Sequence, residues 1–186
     1  MKNQLAYTDS ALNLDSIRDL LPDYAKDTKL NLGTILTTDG APELTEAQIF
    51  AIALASAYST KNGELINAIE HEGSTYLDEA TGTAAKAAAT IMAMNNVYYR
   101  FIHLSNDEEI KKLPAKLRMN VIGSPGIAKV DFELMCLAVS AINGCGMCIE
   151  AHTHELTKAG LSKIAIQSSV RIAAVINATA QGLSIR

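Results

Sequence analysis

VDFELMCLAVSAINGCGMCIEAHTHEL, residues 130–156, decides the fold class. Its first thirteen residues are a run of apolar side chains with helical periodicity, and Asn143-Gly144 then supplies a helix stop, because glycine tolerates the left-handed backbone at which helices commonly end. Cys145 therefore opens a second helix. At ~100° per residue, Cys148 lies about 60° from Cys145 around that helix and His152 about 20° from it, so the three share one face. His154, roughly 180° from Cys145, points away. A helix, a tight glycine turn and a second helix predict an all-α chain.

The rest of the sequence agrees. β-branched alternating runs are nearly absent, and helical periodicity dominates. SALNLDSIRDLLP closes at Pro22 and DYAKDTKLNLGTIL restarts a helix from a residue type suited to capping, giving a helical lead-in over residues 1–40. Turn formers gather in TTDGAP, residues 37–42, before LTEAQIFAIALASAY with its threonine cap. The same punctuation recurs at SPGIAK, residues 124–129, before the quoted helix. Laid together at an offset of 85, the two regions place Gln48 on Glu133, Thr60 on Cys145, Gly63 on Cys148 and Asn67 on His152. Further on, ATIMAMNNVYYR and IAAVINATAQGL are both Ala-rich with an asparagine. A duplicated helical unit is expected within one domain spanning residues 1–186, with a non-catalytic repeat over 41–105 and a catalytic repeat over 124–186.

Composition excludes several classes. A chain of 186 residues, 48% hydrophobic and 19% charged, can bury a proper core. Its formal net charge of -4 opposes nucleic acid or an anionic bilayer as an obligatory partner. The N-terminal MKNQLAYTDSALNLD lacks the apolar run of a signal peptide. The longest apolar stretch, residues 134–142, is about half of the ~20 residues a spanning helix requires. A cytoplasmic protein is expected. Ala-rich helices pack closely and leave apolar faces that neighbouring subunits could cover.

Three cysteines, two of them in a C-x-x-C, cannot make a disulfide scaffold. In a reducing compartment the pair is catalytic or ligates a metal. Structural zinc needs four convergent ligands, and only Cys145, Cys148 and His152 share a face, with Glu133 a conceivable fourth. Covalent haem attachment fails because Ile149 stands where C-x-x-C-H needs histidine. A redox pair needs less. A helix N-terminus stabilises thiolates, a second thiol resolves a mixed disulfide or sulfenic acid, and His152, one turn beyond Cys148, can take or relay a proton. Glu133, an acid on an otherwise apolar face, can approach His152 once the helices fold back, although a solvated acid in the first helical turn explains it as well. Helix-dipole reasoning alone favours Cys145 as the lower-pKa thiol. Cys136 reads as an inert core thiol, His71 and His103 as residues of polar faces or loops, His154 and Glu155 as rim or solvated residues, and Met147 as a spacer that can tune the thiols.

Glu133, eleven residues, Cys145, Gly146, Met147, Cys148, three residues and His152 resembles the E-x11-C-x-x-C-x3-H signature of the AhpD-like alkylhydroperoxidases. DSIRDLLPDYAKDTKLNLGTIL and MAMNNVYYRFIHL extend the likeness over nearly the whole chain. The resemblance implies an all-helical homotrimer of the carboxymuconolactone decarboxylase-like superfamily. It implies a disulfide reductase that regenerates the peroxiredoxin AhpC, without a bound cofactor or metal. Its electrons would come from lipoyl groups on a dihydrolipoamide acyltransferase served by its dihydrolipoamide dehydrogenase. It would reduce organic hydroperoxides weakly. By the same resemblance, Cys148 forms the sulfenic acid and the mixed disulfide with the peroxiredoxin, Cys145 is proton donor and resolving thiol, and Glu133 and His152 form a water-bridged proton relay that deprotonates Cys148. A Cys145–Cys148 disulfide is thereby expected. Some members carry histidine where Met147 stands. Decarboxylase-like chemistry of the superfamily and a zinc-stabilised structural oligomer are the alternatives.

Overall fold

The computed structural model describes residues 12–186. The first eleven residues of the expected lead-in, and most of the stretch read for a signal peptide, lie outside the described residues. Among the described residues there are ten α-helices, a single turn of 3-10 helix and no strand. The all-α expectation is correct, and it follows from a sequence in which apolar positions recur at helical rather than alternating spacing.

The lead-in is α1 (Leu14–Leu20) and α2 (Lys26–Ile35), joined by a 3-10 turn at Asp23–Ala25. Pro22 does separate them, but Asp23 does not cap α2: it opens the 3-10 turn, and α2 starts at Lys26 with no side-chain cap. Asn13 caps α1 instead, its Oδ1 accepting from Ser16 N at 2.8 Å.

Two apolar helices form the centre. The first, α3 (Glu46–Thr60), starts in a capping box: Thr45 Oγ1 accepts from the Gln48 N–H while Gln48 Oε1 accepts from the Thr45 N–H. Every residue from Ile49 to Ala57 is buried. The second, α8 (Lys129–Ile142), is buried from Phe132 to Ser140. Helices buried all round must be wrapped by others. Between them in sequence come α4 (Gly63–Gly73), the 27-residue α5 (Glu79–Ser105) and the short α6 (Glu108–Lys112) and α7 (Asn120–Gly123); after α8 come α9 (Gly146–Lys158) and α10 (Lys163–Ser184). Helix α10 packs on α3 and α5 packs on α8, so each central helix is flanked by a long helix from the other part of the chain. Gln48 Nε2 donates to Asp131 Oδ1 at 2.8 Å, tying the first turns of α3 and α8 together.

One buried apolar cluster draws Ile17, Leu32, Ile52, Leu65, Met92, Leu137, Leu156 and Ile172 from eight helices. Alanines at Ala84, Ala85 and Ala88 let α5 approach this core closely. None of the described helices is long and apolar enough to cross a membrane.

Candidate active site

The turn after α8 builds the site. Gly144 has φ +67, Gly144 N donates to Ala141 O at 3.2 Å, and Cys145 N donates to Ser140 O at 3.2 Å. These two bonds are the paired closure of a Schellman motif, which glycine makes cheaply because it has no Cβ to clash at positive φ. Cys145 is therefore the residue that leaves α8 and also the N-cap of α9, where its Sγ accepts from the Cys148 N–H at 3.4 Å. The two cysteines, with Cα atoms 5.3 Å apart, are joined as a disulfide.

Helix α5 clamps this turn from outside. Asn96 Nδ2 donates to Ser140 Oγ at 2.9 Å, Asn96 Oδ1 accepts from Asn143 Nδ2 at 2.9 Å, and Arg100 Nη1 donates to Asn143 O at 2.6 Å. Both ends of the buried Asn96 amide are satisfied, so this polar group locks the turn rather than weakening the core.

Glu133, one turn into α8, and His152, on α9, meet at 2.6 Å between Oε2 and Nδ1, with side chains only 6% and 10% exposed. A carboxylate can only accept, so Nδ1 carries the proton and donates. In neutral His152 that leaves Nε2 as the basic nitrogen, 3.3 Å from Met92 Sδ. Glu133 and His152, expected together in a relay toward Cys148, are thus in direct contact at 2.6 Å.

Cys148, His152 and Glu133 open onto one cavity of about 350 Å³. Its apolar wall includes Met92, Tyr99, Met119 and Ile122, and the Lys129–Glu155 ion pair, 3.6 Å apart, stands at its rim. Cys145 is fully buried and forms no part of this wall, whereas Cys148 is 7% exposed and does. The Cys148 Sγ lies 4.0 Å from the Asn95 backbone carbonyl.

The remaining candidates fall outside. His154 is exposed and off the cavity, and Glu155 is at its rim. His71 is exposed on α4. His103 is exposed on α5, yet its ring lies 3.6 Å from where a Cβ at Gly146 would stand, a neighbour of the cysteine turn that the sequence did not disclose. Met147 is 41% exposed and lines the cavity mouth. Cys136 is a free, fully buried thiol, and burial, helped by the nearby Glu133 charge, pushes its pKa well up. Among the described residues no three His, Cys, Asp or Glu side chains are grouped as a metal set would be, and Glu133 is engaged with His152. Sequence reasoning missed Met92, Asn95 and Asn96. The signal was MAMNN, two adjacent asparagines inside an Ala-rich helix where propensity disfavours them.

Comparison with known proteins agrees with this geometry. Residues 108–184, which carry Glu133, both paired cysteines and His152, match the carboxymuconolactone decarboxylase family. Over 168 residues the chain is 58% identical to a Coxiella burnetii protein named alkyl hydroperoxide reductase AhpD, covering 90% of this chain and 95% of that one. The chain belongs to the AhpD family. An AhpD of Rhodospirillum centenum is 54% identical over 91% of the chain and 89% of its own length. The AhpD of Methylocella silvestris is 51% identical over 92% and 95%. Such coverage takes the AhpD likeness well beyond the cysteine turn, through the helices that build the cavity wall.

Proposed function

We propose that this chain is a thiol–disulfide oxidoreductase that reduces the peroxiredoxin AhpC with lipoyl-derived electrons and reduces organic hydroperoxides directly but more slowly. The observation that carries it is Cys148, paired with Cys145, on the same cavity wall as a histidine backed by a buried carboxylate. In the reduced protein, His152 Nε2 takes the Cys148 proton and Glu133 stabilises the imidazolium. The Cys148 thiolate attacks the terminal oxygen of a hydroperoxide; the O–O bond breaks, an alcohol leaves with the relayed proton, and Cys148 becomes a sulfenic acid. Cys145 attacks that sulfur, releasing water and closing the disulfide. A dihydrolipoyl dithiol of the partner acyltransferase, itself kept reduced by dihydrolipoamide dehydrogenase, returns two electrons and two protons. Reduction of the AhpC disulfide follows the same exchange through a mixed disulfide at Cys148.

Accessibility separates the two thiols. Dipole position favours Cys145, but its sulfur is sealed, and only Cys148 meets the cavity. This supports Cys148 as the attacking sulfur and Cys145 as the resolving one.

The same proposal covers architecture. Asn62 caps α4 by accepting from Leu65 N, as Cys145 caps α9 by accepting from Cys148 N, and these caps stand 83 positions apart rather than 85. In that register Gly63, Ile66, Ala68, His71 and Glu72 fall on identical residues at Gly146, Ile149, Ala151, His154 and Glu155. Phe50, Leu65 and Ile69 then occupy the places of Glu133, Cys148 and His152. A duplicated unit whose first half fills the chemical positions with core side chains fits this pattern. Val97, Phe101 and Leu104, exposed at helical spacing on α5, give a homotrimer an apolar face to bury. We place the protein in the cytoplasm, where lipoyl carriers and thiol reductants meet.

The test is lipoamide-linked peroxide reduction with thiol counting. Wild type should turn over and gain one disulfide on oxidation, and Cys145→Ser and Cys148→Ser should not; full turnover in either variant would refute the mechanism.

A further inference from the structure

Asn95 stands beside the reactive sulfur with work undone. It is 4% exposed, it lines the cavity that holds Cys148 and His152, and its Oδ1 is buried with no hydrogen-bond partner among the described residues. Its neighbour Asn96 is the contrast, an equally buried amide with both ends paired. An unpaired buried amide oxygen is costly, and a helix interior offers asparagine no compensation of its own. A group retained at such cost on a cavity wall points to a ligand that completes it.

The wall around it gives the ligand's character. Met92, Tyr99, Met119 and Ile122 are apolar, and thioethers adapt to flexible chains. The polar group to be held must lie close to sulfur, because the Asn95 backbone is 4.0 Å from Cys148 Sγ. A hydroperoxide satisfies both demands: its O–H donor is on the atom under attack and its alkyl body can lie on the methionines. A lipoyl amide does not, since a hydrocarbon chain separates it from its own sulfurs.

We propose that the Asn95 side-chain amide is the anchor for the O–OH group of an alkyl hydroperoxide, which deepens the function proposed above and rests on it. The terminal torsion of an asparagine is broad, so either end of the amide can turn to the ligand. Oδ1 accepts from the terminal O–H, and Nδ2 donates to the alkyl-bearing oxygen. As the Cys148 electron pair forms the S–O bond, the O–O bond breaks, and the alkoxide leaves against Nδ2 and takes the proton that His152 received from Cys148.

Two reactions of the dihydrolipoamide-reduced, full-length protein separate the possibilities: oxidation by cumene hydroperoxide, and exchange with cystamine, a disulfide with no O–H. In Asn95→Leu and Asn95→Ala the hydroperoxide rate constant should fall about tenfold while the cystamine constant stays within about twofold of wild type. Asn95→Leu, which replaces an unpaired amide by an apolar group of similar size, should melt no lower than wild type. An unchanged hydroperoxide rate in both variants overturns the anchor, as do equal losses in both reactions or a lowered melting temperature in Asn95→Leu. The preparatory reduction of the oxidised protein by dihydrolipoamide is timed as well, and a loss confined to it overturns the anchor in favour of a lipoyl amide. An active wild type with unaffected variants leaves the proposed function standing, whereas a wild type inert to hydroperoxide removes that function and the anchor together.

Discussion

Glu133 Oε2 stands 2.6 Å from His152 Nδ1, a polar contact that ties α8 to α9 within their packed interface. Burial makes it strong and also obligatory, since among the described residues the Glu133 carboxylate has no other hydrogen-bond partner. Glu133→Gln keeps the shape but lets an amide N–H face Nδ1, which forces the proton onto Nε2 and removes the base. Peroxide turnover should fall on the order of a hundredfold with unchanged helical circular dichroism. Turnover within a factor of a few of wild type would detach the pair from the chemistry.

Removing the other partner tests stability instead. His152→Ala leaves Glu133 buried and uncompensated, and unfolding free energy should drop by about 3 kcal/mol in denaturant titration. A drop under about 1 kcal/mol would show that water replaces the imidazole at no cost.

The cysteine cap gives a third expectation. Serine is a good N-cap, so Cys145→Ser should abolish the disulfide while keeping the helix start, and Cys145→Ala should lose about a further 1 kcal/mol of stability. Thermal melts of the reduced forms make the comparison. Equal stabilities of the serine and alanine variants would mean that a side-chain cap on the Cys148 N–H contributes nothing.

The Asn96 clamp is also testable. Asn96→Ala takes the amide partner from the buried Ser140 Oγ and the half-buried Asn143 Nδ2, and the cost should reach about 2 kcal/mol. The loosened turn should also slow disulfide closure after oxidation, measured by quenching with an alkylating agent.

Alkaline pH should destabilise the fold. Burial pushes the Cys136 thiol well up, and burial together with the Glu70 hydrogen bond pushes the Tyr58 hydroxyl up. In the unfolded chain these groups ionise near ~8.5 and ~10, so above those values the unfolded state holds fewer protons than the native one and stability falls. Melting temperature should decline from about pH 9, and Cys136→Ala should flatten the first part of that slope.

The legible part of the site was its local part. The helix stop at Asn143-Gly144, the shared face of Cys145, Cys148 and His152, and the outward turn of His154 all follow from periodicity and one glycine. Glu133 was within reach because its helix folds straight back. Met92, Asn95 and Asn96 were not, since they arrive from α5 through the packing of α5 on α8, and no local pattern specifies that pairing. Asp23 misled for a related reason: its residue type suits a cap, but the chain after Pro22 takes a 3-10 turn first. Ala-rich helices align almost equally well at neighbouring offsets, so an offset of 85 and the 83 positions that separate the caps at Asn62 and Cys145 are not distinguished by the helices alone.

Sulfur serving as the opening residue of α9 has one more effect. The Cys148 amide hydrogen points at Cys145 Sγ, an atom that in the proposed cycle alternates between a thiol and half of a disulfide bridge. The backbone at residue 148 thus carries a built-in gauge of oxidation state, legible as a nitrogen–proton chemical shift without any added label.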